Sequence, residues 1–336
     1  MTDSMDIITI LILASAILVG WSVGKNSASN VISMLVGPRI TRLKSAILIV
    51  SALMFLGALL QSGHVIKTVG DGIIPKEELE KDRLITLSAL ITTVLFMSLV
   101  TSEAIPVSSS QAIIGSLIGA SVAMGAVNKI DAGNVLKITV SWLATPILSL
   151  IISYALYTLI MIRLAKKTSL ISFGEIFKLL AIVSAAFVAY GLGANDTGNA
   201  VGLVIGSSTY TDSGIILAAV SAAMILGAVS YSKKVARTVS KDITLIDPVT
   251  AFTAQFSAGI VILFYTHMGI PISATQALIG GLVGVGMTKG TGMVNKNTIK
   301  GIFIGWVITP ISTAIISLGL YEVLILLLPL APYLTQ

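Results

Sequence analysis

Ten stretches of mostly apolar residues dominate this sequence, at about 5–23, 45–62, 84–104, 106–127, 135–162, 176–192, 213–232, 248–267, 270–288 and 301–328. About 20 apolar residues in a helix cross the hydrocarbon core of a bilayer. Within that core only helices and closed barrels satisfy their own backbone polar groups. The pattern predicts an all-α polytopic membrane protein. Composition agrees: 55% of the residues are apolar, 11% are charged and the mean hydropathy is +0.98. A soluble domain carries about 25% charged residues. There is no cysteine, which excludes a disulfide scaffold. The chain opens MTDSMD, without the basic segment of a signal peptide, so the first stretch is read as a retained span.

Basic residues set the orientation. Arg39, Arg42 and Lys44, then Arg163, Lys166, Lys167 and Lys178, then Lys233, Lys234, Arg237 and Lys241, and finally Lys289, Lys296 and Lys300 account for 14 of the 21. With ten crossings all four loops fall on the cytoplasmic face. The acidic loop with Asp71, Glu77, Glu78, Glu80 and Asp82 falls on the other, with both termini. The net charge of +6 therefore reflects membrane sidedness, and no nucleic acid partner is expected.

The chain also repeats itself. Gly24-Lys-Asn-Ser-Ala-Ser-Asn30 matches Gly193-Ala-Asn-Asp-Thr-Gly-Asn199, and Ala52–Ala58 matches Ala222–Ala228. Pro106-Val-Ser-Ser-Ser-Gln111 matches Pro271-Ile-Ser-Ala-Thr-Gln276, and Trp142-Leu-Ala-Thr-Pro146 matches Trp306-Val-Ile-Thr-Pro310. The order is kept, at offsets near half the chain. Two units are expected, 1–165 and 166–336, each with five spans. An odd number of spans inserts the second unit upside down, the inverted-repeat plan of many secondary transporters, with the site near the midplane.

Each copy of the first motif sets two asparagines four residues apart, followed by a short apolar run, 31–37 and 200–206. This predicts a broken or re-entrant helix there, and about 10–12 transmembrane segments in all. The oxygens of Asn26, Ser27, Asn30, Asn195, Asp196 and Asn199, with unwound backbone carbonyls, suit a hard cation such as Na⁺. The second motif places a proline and hydroxyls at a helix start. Free N–H groups and the helix dipole make such a start an anion site. Ser108, Ser109, Ser110 and Gln111 would face Ser273, Ala274, Thr275 and Gln276 around a tetrahedral oxyanion. Of the ionisable residues at membrane depth, Asp196 is the candidate cation ligand. Lys25 and Glu103 are assigned a possible electrostatic role, and Glu322 an interface role. Thr145-Pro146 and Thr309-Pro310 are expected to kink their helices. Glycines at 115 and 119, 280 and 284, and 301 and 305 fit close helix packing. No nucleotide-binding loop, zinc-protease or hydrolase motif is present, so neither an enzyme nor an organic cofactor is expected.

Gly193-Ala-Asn-Asp-Thr-Gly-Asn-Ala200 resembles the GANDVANA signature of the PiT family of inorganic phosphate transporters. Pro271-Ile-Ser-Ala-Thr-Gln276 resembles that family's PVSTTH signature. The resemblance covers essentially the whole chain. It implies a Na⁺- or H⁺-coupled phosphate symporter of the cell membrane, built from inverted repeats, with termini outside and assembled as a homodimer. Two departures stand out: Lys25 and Ser27 replace the usual Ala and Asp, and Gln111 and Gln276 stand where the family often has His. The first implies that the half carrying Asp196 dominates cation binding, and the second favours Na⁺ over H⁺ as coupling ion.

The expectation is Na⁺-coupled phosphate import by alternating access. The alternatives are a sulfate or H⁺-coupled phosphate permease on the same scaffold, and an anion channel or non-transporting phosphate sensor.

Overall fold

The computed structural model describes residues 7–102, 107–163, 170–207, 213–242, 246–290 and 296–327. Glu103, Pro106, Lys166 and Lys167 lie outside the described residues. The apolar stretches form ten helices: α1 (Ile7–Val36), α2 (Leu43–Gln61), α5 (Leu84–Ser102), α6 (Ser109–Ala123), α7 (Ala132–Arg163), α8 (Leu170–Gly206), α9 (Ser213–Asp242), α10 (Pro248–His267), α11 (Ala274–Thr288) and α12 (Lys296–Leu327). Two short helices, α3 (Gly63–Lys67) and α4 (Lys76–Lys81), flank a π-helical turn in the acidic loop. No strand occurs among the described residues.

Eight of the ten are long enough to cross a bilayer. The exceptions are α6 and α11, each of 15 residues. At about 1.5 Å per residue they reach roughly 22 Å, short of the roughly 30 Å hydrocarbon core. Each is the second arm of a hairpin, α5–α6 and α10–α11, and each starts inside the protein. Each hairpin returns to the face it left. Beyond α6, Lys129 pairs with Glu78 at 3.8 Å and the Asp131 N–H bonds the Ile73 carbonyl at 2.9 Å, both partners lying just ahead of α5. At the base of the other hairpin, Lys289 meets Asp247 at 2.6 Å.

The halves are interleaved. α1 packs on α9, α2 on α8, α6 on α12 and α7 on α11, each contact joining one half to the other. Equivalent glycines set these contacts. A Cβ on Gly24 would collide with the Met224 carbonyl, and one on Gly193 with the Met54 carbonyl. Likewise Gly115 abuts the Pro310 carbonyl and Gly280 the Pro146 carbonyl, so the Thr-Pro segments are the crossing points. Gly119 and Gly284 also pack closely, whereas Gly301 and Gly305 have open space around them, contrary to the sequence expectation.

A second expectation fails in position. α1 and α8 run unbroken through Gly24–Asn30 and Gly193–Asn199, and the runs 31–37 and 200–206 belong, but for Gly37, to the ends of the same helices. The glycines admit a neighbouring backbone instead of breaking the helix, and the polar side chains find partners outside it. The backbone carbonyls there stay in the helical ladder and are not free for a cation. The discontinuity expected near the midplane lies at the starts of α6 and α11.

Candidate functional site

The sequence caps α6 and α11 in the same way. Ser108 and Ser273 are extended residues whose hydroxyls accept the backbone N–H of Gln111 and Gln276, both at 3.2 Å. This fixes the first turn of each helix but leaves other N–H groups at the start for a ligand. Ser109, Ser110, Gln111, Thr275 and Gln276 on these turns are all buried, and Ala274 supplies small apolar surface between them.

The two starts meet beside α8. The Ser110 hydroxyl donates to the Ile272 carbonyl at 2.5 Å and accepts from Asn199 Nδ2 at 2.8 Å. Asn195 bonds the Ile272 peptide twice. Its Oδ1 accepts the Ile272 N–H at 3.1 Å, and its Nδ2 donates to the Ile272 carbonyl at 2.9 Å. Across the site, Asn30 Nδ2 reaches Thr275 Oγ1 at 3.4 Å and Asn26 Nδ2 reaches Thr101 Oγ1 at 3.3 Å.

Asp196 is 1% exposed. Its Oδ1 accepts from Asn195 Nδ2 at 2.9 Å and from the Ser109 hydroxyl at 3.3 Å, and the Ser27 hydroxyl of the other half interacts with the same carboxylate. Of the residues expected for a cation, Ser27, Asn195, Asp196 and Asn199 are linked to Ser109, Ser110 and the entry to α11 across the repeat boundary; Asn30 is bonded to Thr275, and Asn26 is directed to Thr101.

The unfilled valences have one character. Asn26 Oδ1, Asp196 Oδ2, Asn199 Oδ1, Gln111 Oε1 and Gln276 Oε1 are buried acceptors without a hydrogen-bond partner. A buried acceptor left bare costs about 1–3 kcal/mol, so the cluster favours a guest that brings positive charge or donors. The Asp196 carboxylate and the two asparagine oxygens are hard donors of the type that holds Na⁺.

Lys25 is buried, with its ammonium 4.8 Å from the centroid of the Trp21 ring, one turn back on α1. Glu103 lies outside the described residues. An apolar cavity of about 900 Å³ opens beyond Gln111 and Gln276, walled by α6, α7, α11 and α12. Its walls offer an oxyanion few donors, so the polar cluster is the candidate site and the cavity is not.

Trp142 and Thr101, which make contacts at the site, and Thr266, the repeat counterpart of Thr101, were not assigned from sequence. Trp142 donates its indole N–H to the Pro271 carbonyl at 3.1 Å, holding the second hairpin from the first half. Its repeated Trp-x-x-Thr-Pro setting was the available signal. Thr101 and Thr266 stand five residues before Pro106 and Pro271, and extending the repeat alignment by that distance would have found them.

Residues 23–173 and 165–317 match the phosphate transporter family. A Methanocaldococcus jannaschii protein named as a phosphate permease is 34% identical over 88% of this chain and 90% of its own. A Bacillus subtilis protein named as a low-affinity inorganic phosphate transporter is 29% identical over 93% of this chain and 96% of its own. A solved structure titled "The sodium-dependent phosphate transporter" superposes with a TM-score of 0.86 at 25% identity, over 96% of this chain and all of that one. With inverted repeats, a buried polar site at their junction and a family match across both halves, the chain is a multi-pass membrane protein that belongs to the phosphate transporter family.

Proposed function

We propose that this protein imports inorganic phosphate together with Na⁺ by alternating access. Phosphate would bind at the starts of α6 and α11, and Na⁺ beside it at Asp196. The observation that carries this reading is the junction itself: two capped helix starts from opposite halves flank a buried carboxylate with an open Oδ2. A cation next to the anion offsets charge that would be costly to bury alone. The relative titled as sodium-dependent supports the choice of ion.

The open Oε1 atoms of Gln111 and Gln276 favour phosphate over sulfate. A protonated phosphate can donate a hydrogen bond to such an acceptor, whereas sulfate has no proton to give.

We further infer that the units 1–165 and 166–336 are the two repeats, with both termini outside the cell membrane. Because each hairpin returns to its own face, the four basic loops fall on one side whether or not α6 and α11 count as crossings. A homodimer is the assembly the family resemblance implies.

The test is Asp196→Asn. Uptake should lose its Na⁺ dependence while phosphate binding persists. Unchanged Na⁺ dependence would remove Asp196 from the cation site.

A further inference from the structure

The two halves differ at one pair of equivalent asparagines. In the second half Asn195 sits on the extended entry to α11, bonded to both polar groups of the Ile272 peptide. In the first half its counterpart Asn26 sits elsewhere, donating to Thr101 at the end of α5 while its Oδ1 has no partner. The repeat alignment pairs Thr101 with Thr266 and Val107 with Ile272. Thr266 is fully buried, and its hydroxyl has no partner. The contact that Asn26 makes in one half is thus not made in the other.

We propose that each asparagine is a two-position latch for its own hairpin, engaging either the threonine of the first arm (Thr101 or Thr266) or the peptide of the extended entry (Val107 or Ile272). The halves hold opposite positions, and exchanging them interconverts the two access states. Asn195 and Asn26 then position the hairpins, and Thr101 and Thr266 become positioning residues for transport. The inference rests on the alternating-access reading.

The physical basis is economy of buried polar groups. A buried amide or hydroxyl without a partner is unfavourable, so neither position is complete and neither is dominant. In the described arrangement Asn195 satisfies Ile272 and leaves Thr266 bare, and Asn26 satisfies Thr101 and leaves its own carbonyl bare. Inverted repeats make the exchanged arrangement nearly isoenergetic, because each half adopts what the other gave up. A small bias on either threonine then shifts the populations.

The chain lacks cysteine, so the substitution Ser109→Cys can report which membrane face reaches the site. The probe is an impermeant thiol reagent applied to right-side-out and to inside-out vesicles. Thr101→Val removes a bond of the described state, and Thr266→Val removes one from the exchanged state. The two should shift the ratio of labelling from the two faces in opposite directions, each about fivefold for one lost hydrogen bond. Thr101→Ser and Thr266→Ser should restore the parent ratio. Thr266→Val should not lower thermal stability, since its hydroxyl is unbonded here.

Shifts in the same direction, or none in either variant, would overturn the latch. Labelling does not depend on the coupling ion, so failure of Na⁺ coupling would leave this result readable. A site reached from only one face in every variant would instead refute alternating access.

Discussion

Asn195 and Ile272 close a hydrogen-bonded ring. The side-chain amide reads the peptide's N–H at 3.1 Å and its carbonyl at 2.9 Å, as a neighbouring strand would. An asparagine on a transmembrane helix thereby fixes the residue that leads into the capping serine of α11. Asn195→Ala strands the Ile272 N–H in a buried site and leaves its carbonyl with the Ser110 hydroxyl alone. It should cost about 2 kcal/mol, the penalty for unpaired buried polar groups, and abolish uptake. Thermal unfolding in detergent and labelled-phosphate uptake check this together.

Gly24 and Gly193 carry the interlocking of the halves. An added methyl group would meet a backbone carbonyl, which cannot swing aside as a side chain can. Gly24→Ala and Gly193→Ala should each destabilise by about 1–3 kcal/mol, as overpacking does. Gly301→Ala and Gly305→Ala face open space and should leave the monomer's unfolding temperature unchanged.

Asp247, just outside the membrane-spanning part of α10, caps that helix and pairs with Lys289. Burial raises the carboxyl pKa, but the Lys289 ammonium and the Thr250 N–H outweigh it, and the net shift is downward. A depressed folded pKa contributes stability that is present above the unfolded value of about 3.9 and lost as pH falls through the folded value. The base of the second hairpin should therefore loosen only in strong acid. Asp247→Asn should flatten that acid limb of the stability profile, and at neutral pH should make the hairpin base more accessible to protease.

Ser27 occupies the place that repeat symmetry gives to a second Asp196. Ser27→Asp would set two carboxylates together, and like charges that close cannot both ionise without a cation between them. The Hill slope of uptake against Na⁺ should rise by up to about one, a further cation for the added carboxylate. An unchanged slope would separate Ser27 from the cation site.

Much of this arrangement was legible in the sequence because the repeats supply an internal comparison. Ten apolar stretches became ten helices, and the paired motifs converged at one buried junction. The misplaced break at Gly24 and Gly193 has a physical cause. Glycine beside asparagine reads the same whether the helix opens or a neighbouring backbone approaches, and only the partner, Met224 or Met54, distinguishes them. Thr101 and Thr266 escaped notice for a similar reason. A threonine on an apolar helix ordinarily bonds its own preceding turn, and nothing local to the sequence reveals that Asn26 reaches across to Thr101. The glycines at 301 and 305 show the converse, a packing pattern without a partner.

In the proposed mechanism phosphate entry is coupled to Na⁺. Uptake of labelled phosphate by proteoliposomes, under an inward Na⁺ gradient or with K⁺ in its place and with excess sulfate as competitor, tests it most directly. Coupled entry gives accumulation above the external concentration only with the Na⁺ gradient, and little competition by sulfate. Equal uptake with K⁺, or uptake that merely equilibrates, would contradict it.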